Sequence, residues 1–219
     1  MKDFAGRVAV ITGAAGGLGR AFADAAAALD MKLVLADRDA DALEATTDAL
    51  LARGAEVLAM VCDVRECSHV EELADAAMIR FHGVHLLFNN DGDRADGPLW
   101  EIAETDWNRV LGVNLWGAIH GVRIFTPLML DCARRDLDYR GHIVNTASLA
   151  GEGVVKVARE AVLALSETLR HDLQQVGARV GASVLCPHDA PAGLADAEVA
   201  RLTFEAIRNG AFHVHPRQE

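Results

Sequence analysis

Short apolar runs alternate along the chain with longer stretches whose apolar residues recur at helical spacing. The runs are Val8–Thr12, Lys32–Ala36, Glu56–Cys62, His85–Asn89, His142–Thr146 and Ala182–Cys186. They are rich in Val, Leu and Ile and show no polar alternation, the pattern of strands covered on both faces. The intervening stretches predict helices over Leu18–Leu29, Asp41–Arg53, Ser68–Phe81, Thr105–Ala133, Val157–Val176 and Ala197–Asn209. Ser68 with Glu71 three residues on has the form of a capping box. Val70, Leu73, Ala77 and Phe81 then supply that helix's apolar stripe. Val162, Leu165, Leu169, Leu173 and Val176 do the same for the helix over Val157–Val176.

Strand–helix alternation of this kind predicts an α/β fold: a doubly wound parallel sheet of the Rossmann type, with about six to seven strands and helices on both faces. Neither a repeat nor a convincing linker divides residues 1–219, so a single domain is expected. The stretch Pro187–Gly193, dense in Pro, Gly and Asp, reads as a connection.

Composition narrows the function classes. The chain has 21 Lys and Arg against 32 Asp and Glu, a net charge of −11. That argues against binding nucleic acid or an anionic membrane surface, both of which rely on basic patches. No apolar run is long enough to span a bilayer, and the N-terminus is a poor signal peptide. Cys62, Cys67, Cys132 and Cys186 form no C-x-x-C pair and read as free thiols in a reducing compartment. A cytoplasmic location is the expectation.

The first strand runs into Thr12-Gly13-Ala14-Ala15-Gly16-Gly17-Leu18-Gly19. Gly13 permits a tight turn, Gly17 a close approach of pyrophosphate, and Gly19 close packing of the helix. The helix start at Leu18 then presents unpaired N–H groups to phosphates. Asp37 ends the second strand, 18 residues after Gly19, near the spacing of the acidic group that holds an adenosine ribose. Its carboxylate would repel a 2′-phosphate, so NAD is favoured over NADP, although Arg38 stands beside it. Without a ligand, Asp37 would be a solvated turn carboxylate.

These residues resemble the short-chain dehydrogenase/reductase family. Thr12, Gly13, Gly17 and Gly19 meet its T-G-x-x-x-G-x-G pattern. Asp63-Val64 resembles its adenine-contacting pair, and Asn89-Asn90-Asp91-Gly92 its Asn-Asn-Ala-Gly. Asn114 resembles the active-site asparagine and Ser148 the catalytic serine. The resemblance covers nearly the whole chain. It implies a nicotinamide dinucleotide bound by Thr12, Gly13, Gly17, Leu18, Gly19, Asp37, Arg38, Asp63, Val64, Asn90 and Gly92, and hydride exchange with a small alcohol or carbonyl compound.

The same comparison shows departures. The family protonates its alkoxide from a tyrosine in Tyr-x-x-x-Lys after the serine. This chain has one tyrosine, Tyr139, before the fifth strand. The nine residues to Ser148 span roughly 30 Å if extended. Tyr139 is therefore expected in surface or loop packing. Aligning the following helix puts Val155 at the tyrosine position and Arg159 at the lysine position. Arg159 keeps a cation for the nicotinamide ribose but stays protonated and cannot shuttle a proton. The connection from Ser148 and the substrate lid are both short, over about 149–196. His188 stands where the family has glycine after proline, and Asp91 puts a carboxylate beside the cofactor groove.

Three readings follow. In the first, an NAD-binding protein has lost the family's chemistry. In the second, an active oxidoreductase uses Ser148, Asn114, Arg159 and a replacement acid, His188, which titrates in the useful range. In the third, the scaffold serves a non-redox reaction. The pairs His82/His85 and His213/His215 lack further ligands at matching spacing, so no metal site is expected. Trp100, Trp107 and Trp116 are expected in core or subunit packing. The family's pairing of the Asn114 helix with the helix after Ser148 implies a homodimer or homotetramer.

Overall fold

The computed structural model describes residues 1, 3–147, 153–187 and 194–215. The strands are β1 (Val8–Thr12), β2 (Lys32–Asp37), β3 (Val57–Val61), β4 (Leu86–Asn89), β5 (Gly141–Thr146), β6 (Val180–Leu185) and β7 (His213–Val214). All pair in parallel in the order β3-β2-β1-β4-β5-β6-β7. The helices are α1 (Gly17–Ala28), α2 (Ala40–Leu51), α3 (Cys67–Phe81), α4 (Glu104–Leu111), α5 (Gly117–Arg135), α6 (Val154–Gln175) and α7 (Asp196–Asn209). This is the doubly wound sheet that the apolar pattern predicts.

Why the strands are uniformly apolar is visible in the packing. Successive residues of a strand point to opposite faces. Ala9 and Ile11 of β1 join Leu18 and Phe22 of α1 and Phe204 of α7 in one core layer. Val8 and Val10 join Leu73 of α3, Phe125 of α5 and Leu173 of α6 in the other. Phe88 stacks on Phe22 at 4.5 Å between ring centroids, fixing α1 over β4.

Four local expectations change. The helix at Ser68 begins one residue earlier, with Glu66 as its N-cap and no capping side-chain hydrogen bond. A turn closed by Asp63 sets the entry instead: the amides of Arg65 and Glu66 both donate to it. The long helix expected over Thr105–Ala133 is interrupted by a π-helical turn at Gly112–Trp116. Trp107 packs with the Val110–Val154–Val155 cluster, but Trp100 is 85% exposed and Trp116 51%. Tyr139 lies in the loop between α5 and β5, as expected, but its side chain is buried in the core, 2% exposed, rather than at the surface. Its hydroxyl donates to the carbonyl of Val84. That bond lies at the amino-terminal edge of the sheet, ahead of β4 and β5.

Candidate nucleotide and active site

At the carboxyl-terminal edge, β1 and β4 are neighbours whose chains leave toward opposite sides, the switch point where α/β sheets open a crevice. A cleft of about 430 Å³ lies there, lined among others by Gly13, Gly17, Leu18, Asp37, Arg38, Asn90, Gly92 and Thr146. Side-chain hydrogen bonds tie its strand ends together. The Thr12 hydroxyl donates to the Phe88 carbonyl at 3.3 Å and accepts from the Asn90 amide at 3.1 Å. The Thr146 hydroxyl reaches the Asn90 side chain at 3.4 Å. Thr146 is a cleft residue that the sequence reading does not single out.

The start of α1 is shaped for an anion. Gly17 has φ +51°, where a side chain is strained, and a Cβ at Gly16 would meet nothing within 4 Å. The first turn has no acidic residue, so the unpaired N–H groups and the helix dipole act unopposed from within α1. The nearest side-chain atom to a Cβ built on Gly17 is Oδ2 of Asp196, at 3.9 Å. Gly19 is needed for contact: its Cβ would stand 1.9 Å from the carbonyl oxygen of Gly13. Gly19 therefore presses the helix against the Gly13 turn, more closely than a general contact with the sheet would require.

Asp37 is fixed at the far end of the cleft. Its carboxylate accepts the Ala15 amide at 2.9 Å and the Asp39 amide at 3.0 Å, one on each oxygen. A carboxylate has about four acceptor positions, so two remain for vicinal hydroxyls. Arg38 reaches across toward Asp93 at 3.9 Å. Asp63 and Val64 are not among the residues that line the cleft. Arg65 holds Asp63 through its guanidinium and lowers the carboxyl's pKa, while Val64 is buried against Gly117.

Asn114 lies in the π turn, and its amide clamps the loop after β4. Its Oδ1 accepts the Asp93 amide at 2.7 Å, and its Nδ2 donates to the Asp93 carbonyl at 3.0 Å. Arg109 completes the clamp through an ion pair with the Asp93 carboxylate. Burial pushes the Asp93 carboxyl up, but Arg109, the Arg94 amide and, last, Arg38 together carry it below the usual range. The sequence carries no local signal for this Asp93–Arg109–Arg38 cluster, because its members come from three separate segments.

Asp91 lines the cleft between Asn90 and Gly92, as the sequence predicts. It also borders a small inner space with Thr12, Val64 and Asn114, and its Oδ2 is buried without a hydrogen-bond partner. Burial pushes its pKa up to about 7, with the Thr12 hydroxyl partly opposing. Behind it, Asn89 donates to Asn145 at 2.8 Å and Asn145 to Ser166 at 3.0 Å, a buried polar string joining β4, β5 and α6.

The remaining candidates are unevenly placed. Arg159 lies on α6 with an ion pair to Glu160 at 2.8 Å. Val155 is buried in a small cluster with Val110 and Val154. Ser148 and His188 lie outside the described residues. His85 is engaged away from His82, accepting the Val8 amide at 3.2 Å, and burial pushes its pKa down to about 4. His213 and His215 stack on each other at 5.6 Å.

Comparison with known proteins decides the family. The profile described as short chain dehydrogenase matches residues 7–196. The chain belongs to the short-chain dehydrogenase family. A short-chain dehydrogenase/reductase from Burkholderia phymatum, solved in complex with NAD, superposes with a TM-score of 0.91 at 42% identity. That match covers 98% of this chain and 90% of the other. A metagenomic short-chain oxidoreductase in complex with NADP gives 0.86 at 26% identity, covering 99% and 98%. The 1-deoxy-11-beta-hydroxypentalenate dehydrogenase of Streptomyces exfoliatus is 34% identical over 95% of this chain and 82% of its own. Over the first curated relatives, this short-chain dehydrogenase spans 66% to 82% of their length. None of the described helices is long and apolar enough to cross a membrane.

Proposed function

We propose that this chain binds a nicotinamide dinucleotide in the cleft between β1 and β4, prefers NAD to NADP, and has lost or strongly reduced the family's phenol-dependent hydride transfer. The glycine turn and the N–H groups of α1 would hold the pyrophosphate. Asp37 would hold the adenosine ribose with its two remaining acceptor positions, and its charge would repel a 2′-phosphate. Arg159 would stand by the nicotinamide ribose. The bound cofactor would supply the hydride chemistry; the chain's own residues bind and orient it.

One observation carries the chemical half of this reading. The only tyrosine has its hydroxyl committed to the Val84 carbonyl at the opposite edge of the sheet. Burial raises that phenol's pKa further. A missing general acid costs about 10²–10⁴ in rate. The relatives' names as dehydrogenases support a redox ancestry for the scaffold. The half-exposed Trp116 and the exposed Val157 support self-association through the π turn and α6, as a homodimer or homotetramer.

The test is a titration followed by turnover. NADH is expected to bind saturably, and Asp37→Asn to weaken NADH while narrowing its advantage over NADPH by about tenfold. A panel of ketones and alcohols is expected to give little change in nicotinamide absorbance. Turnover abolished by Ser148→Ala and His188→Ala would replace this reading with an active enzyme using a histidine acid. No binding of either dinucleotide at millimolar concentration would remove its basis.

A further inference from the structure

A second cavity, of about 300 Å³, opens at the other end of the sheet, where β5 and β6 begin. Arg140 and Arg179 immediately precede those strands, and Arg170 comes from the second half of α6. All three line the cavity, and no Asp or Glu does. In a chain carrying 32 acidic residues against 21 basic ones, such a concentration of cations is unusual. Among the described residues none of the three has a carboxylate partner within ion-pair distance.

Part of each guanidinium's role is local. Arg140 donates from one terminal nitrogen to the carbonyls of Leu137 and Tyr139, at 3.0 and 2.7 Å. Arg179 donates to the carbonyls of Ala133 and Asp136, closing the end of α5. Arg170 lies over the Phe212 ring at 4.7 Å, held by stacking. A guanidinium has five N–H donors, so each keeps donors in reserve. Nε of Arg179 is buried and has no partner at all.

The floor is polar but uncharged. The Ser183 hydroxyl donates to the Ala211 carbonyl at 2.6 Å. It therefore accepts from Nε2 of His142 at 2.7 Å, which assigns the proton to that nitrogen. Burial pushes the His142 pKa down to about 3, with the N-terminal ammonium second, so the ring stays neutral. The cavity's positive charge thus comes from its arginines, which do not titrate at working pH, together with the ammonium of Met1.

We propose that this cavity is an oxyanion site, separate from the dinucleotide cleft, that takes a phosphate or phosphomonoester group between Arg140, Arg170 and Arg179. Planar guanidiniums match phosphate oxygens in pairs, which Lys cannot do. The cavity has room for a phosphate with a small organic group attached.

Inorganic phosphate is the probe, titrated into the full chain at constant ionic strength while backbone amide resonances are followed. The expected result is saturable shifts at Gly141, Gly181 and Gly210, with an affinity weakened at least about tenfold in Arg170→Gln. The Arg170 side chain makes no hydrogen bond to the backbone, so this variant should retain the fold, checked by unchanged resonances elsewhere. Shifts confined to Gly16–Gly19 would mean that phosphate uses only the cleft, and would overturn the site. Shifts that stay linear in phosphate, or are equal in Arg170→Gln, would also overturn it. So would self-association lost in Arg170→Gln without any phosphate response, since the cavity would then receive an acidic side chain of a second copy. A sugar phosphate binding more tightly than phosphate at the same amides would identify a phosphomonoester as the ligand. Because these amides lie at the opposite end of the sheet from the glycine turn at the start of α1, failure here leaves the dinucleotide reading standing.

Discussion

Asp91 stores a proton in the fold that the unfolded chain would release. Its folded pKa of about 7 lies above its ordinary value of 3.8, through burial first and the neighbouring carboxylates Asp37 and Asp63 after it. The sign follows from linkage: this group's contribution to stability is fully present below about pH 3.8 and is lost as pH rises through about 7. The range of that effect is on the order of 4 kcal/mol, since each pKa unit is worth about 1.4 kcal/mol. Asp91→Asn removes the titration while keeping the shape. Thermal melts between about pH 5 and about pH 8 should show a flatter profile for the variant, with its Tm above the parent's at the alkaline end. Parallel profiles would show that the carboxyl is already solvated. Position 91 was legible as unusual from the sequence; the direction its side chain takes was not, because that depends on the space beneath Thr12 and Asn114.

At the scale of elements, the strand–turn–helix unit from β1 to α1 was the most legible part of the chain. Its turn residues, spacing and apolar run all agree, and local geometry alone requires glycine there. Gly19→Ala should therefore be severe. The added carbon meets the Gly13 carbonyl at 1.9 Å, a backbone atom that cannot rotate away. A loss of about 3 kcal/mol or more in denaturant unfolding is expected, with dinucleotide binding abolished in whatever remains folded. An unchanged midpoint would mean that the turn is looser than described. The π turn was illegible: its sequence, Gly-Val-Asn-Leu-Trp, continues the helical period on both sides. Within it Asn114 clamps Asp93, a contact between segments that periodicity does not register. The same limit applies to Tyr139. Its place ahead of β5 could be read from the sequence, but the Val84 carbonyl that receives its hydroxyl is 55 residues away.

For the whole molecule, the two ends of the sheet divide the work. The carboxyl-terminal edge carries the glycine turn, Asp37 and the braced loop after β4, which in the proposed reading would hold the dinucleotide. The amino-terminal edge carries the one phenol, sealed in the core, and an arginine-lined cavity. The parallel sheet fixes which end each strand terminus reaches, so the separation could be inferred once the strand order was known. The arginine cavity was not legible, since its three members lie in different elements and each alone reads as a solvated cation.

The most direct measurement mixes NADH, fully bound by a molar excess of protein, with a panel of ketones and follows the nicotinamide absorbance through a single turnover. The account predicts that NADH stays bound and reduced, with any decay at least about a hundredfold slower than a general acid would allow. Rapid, stoichiometric oxidation of the bound NADH would contradict it, because a proton donor other than the phenol would then be at work in the cleft; the same trace with His188→Ala would show whether that donor is the histidine.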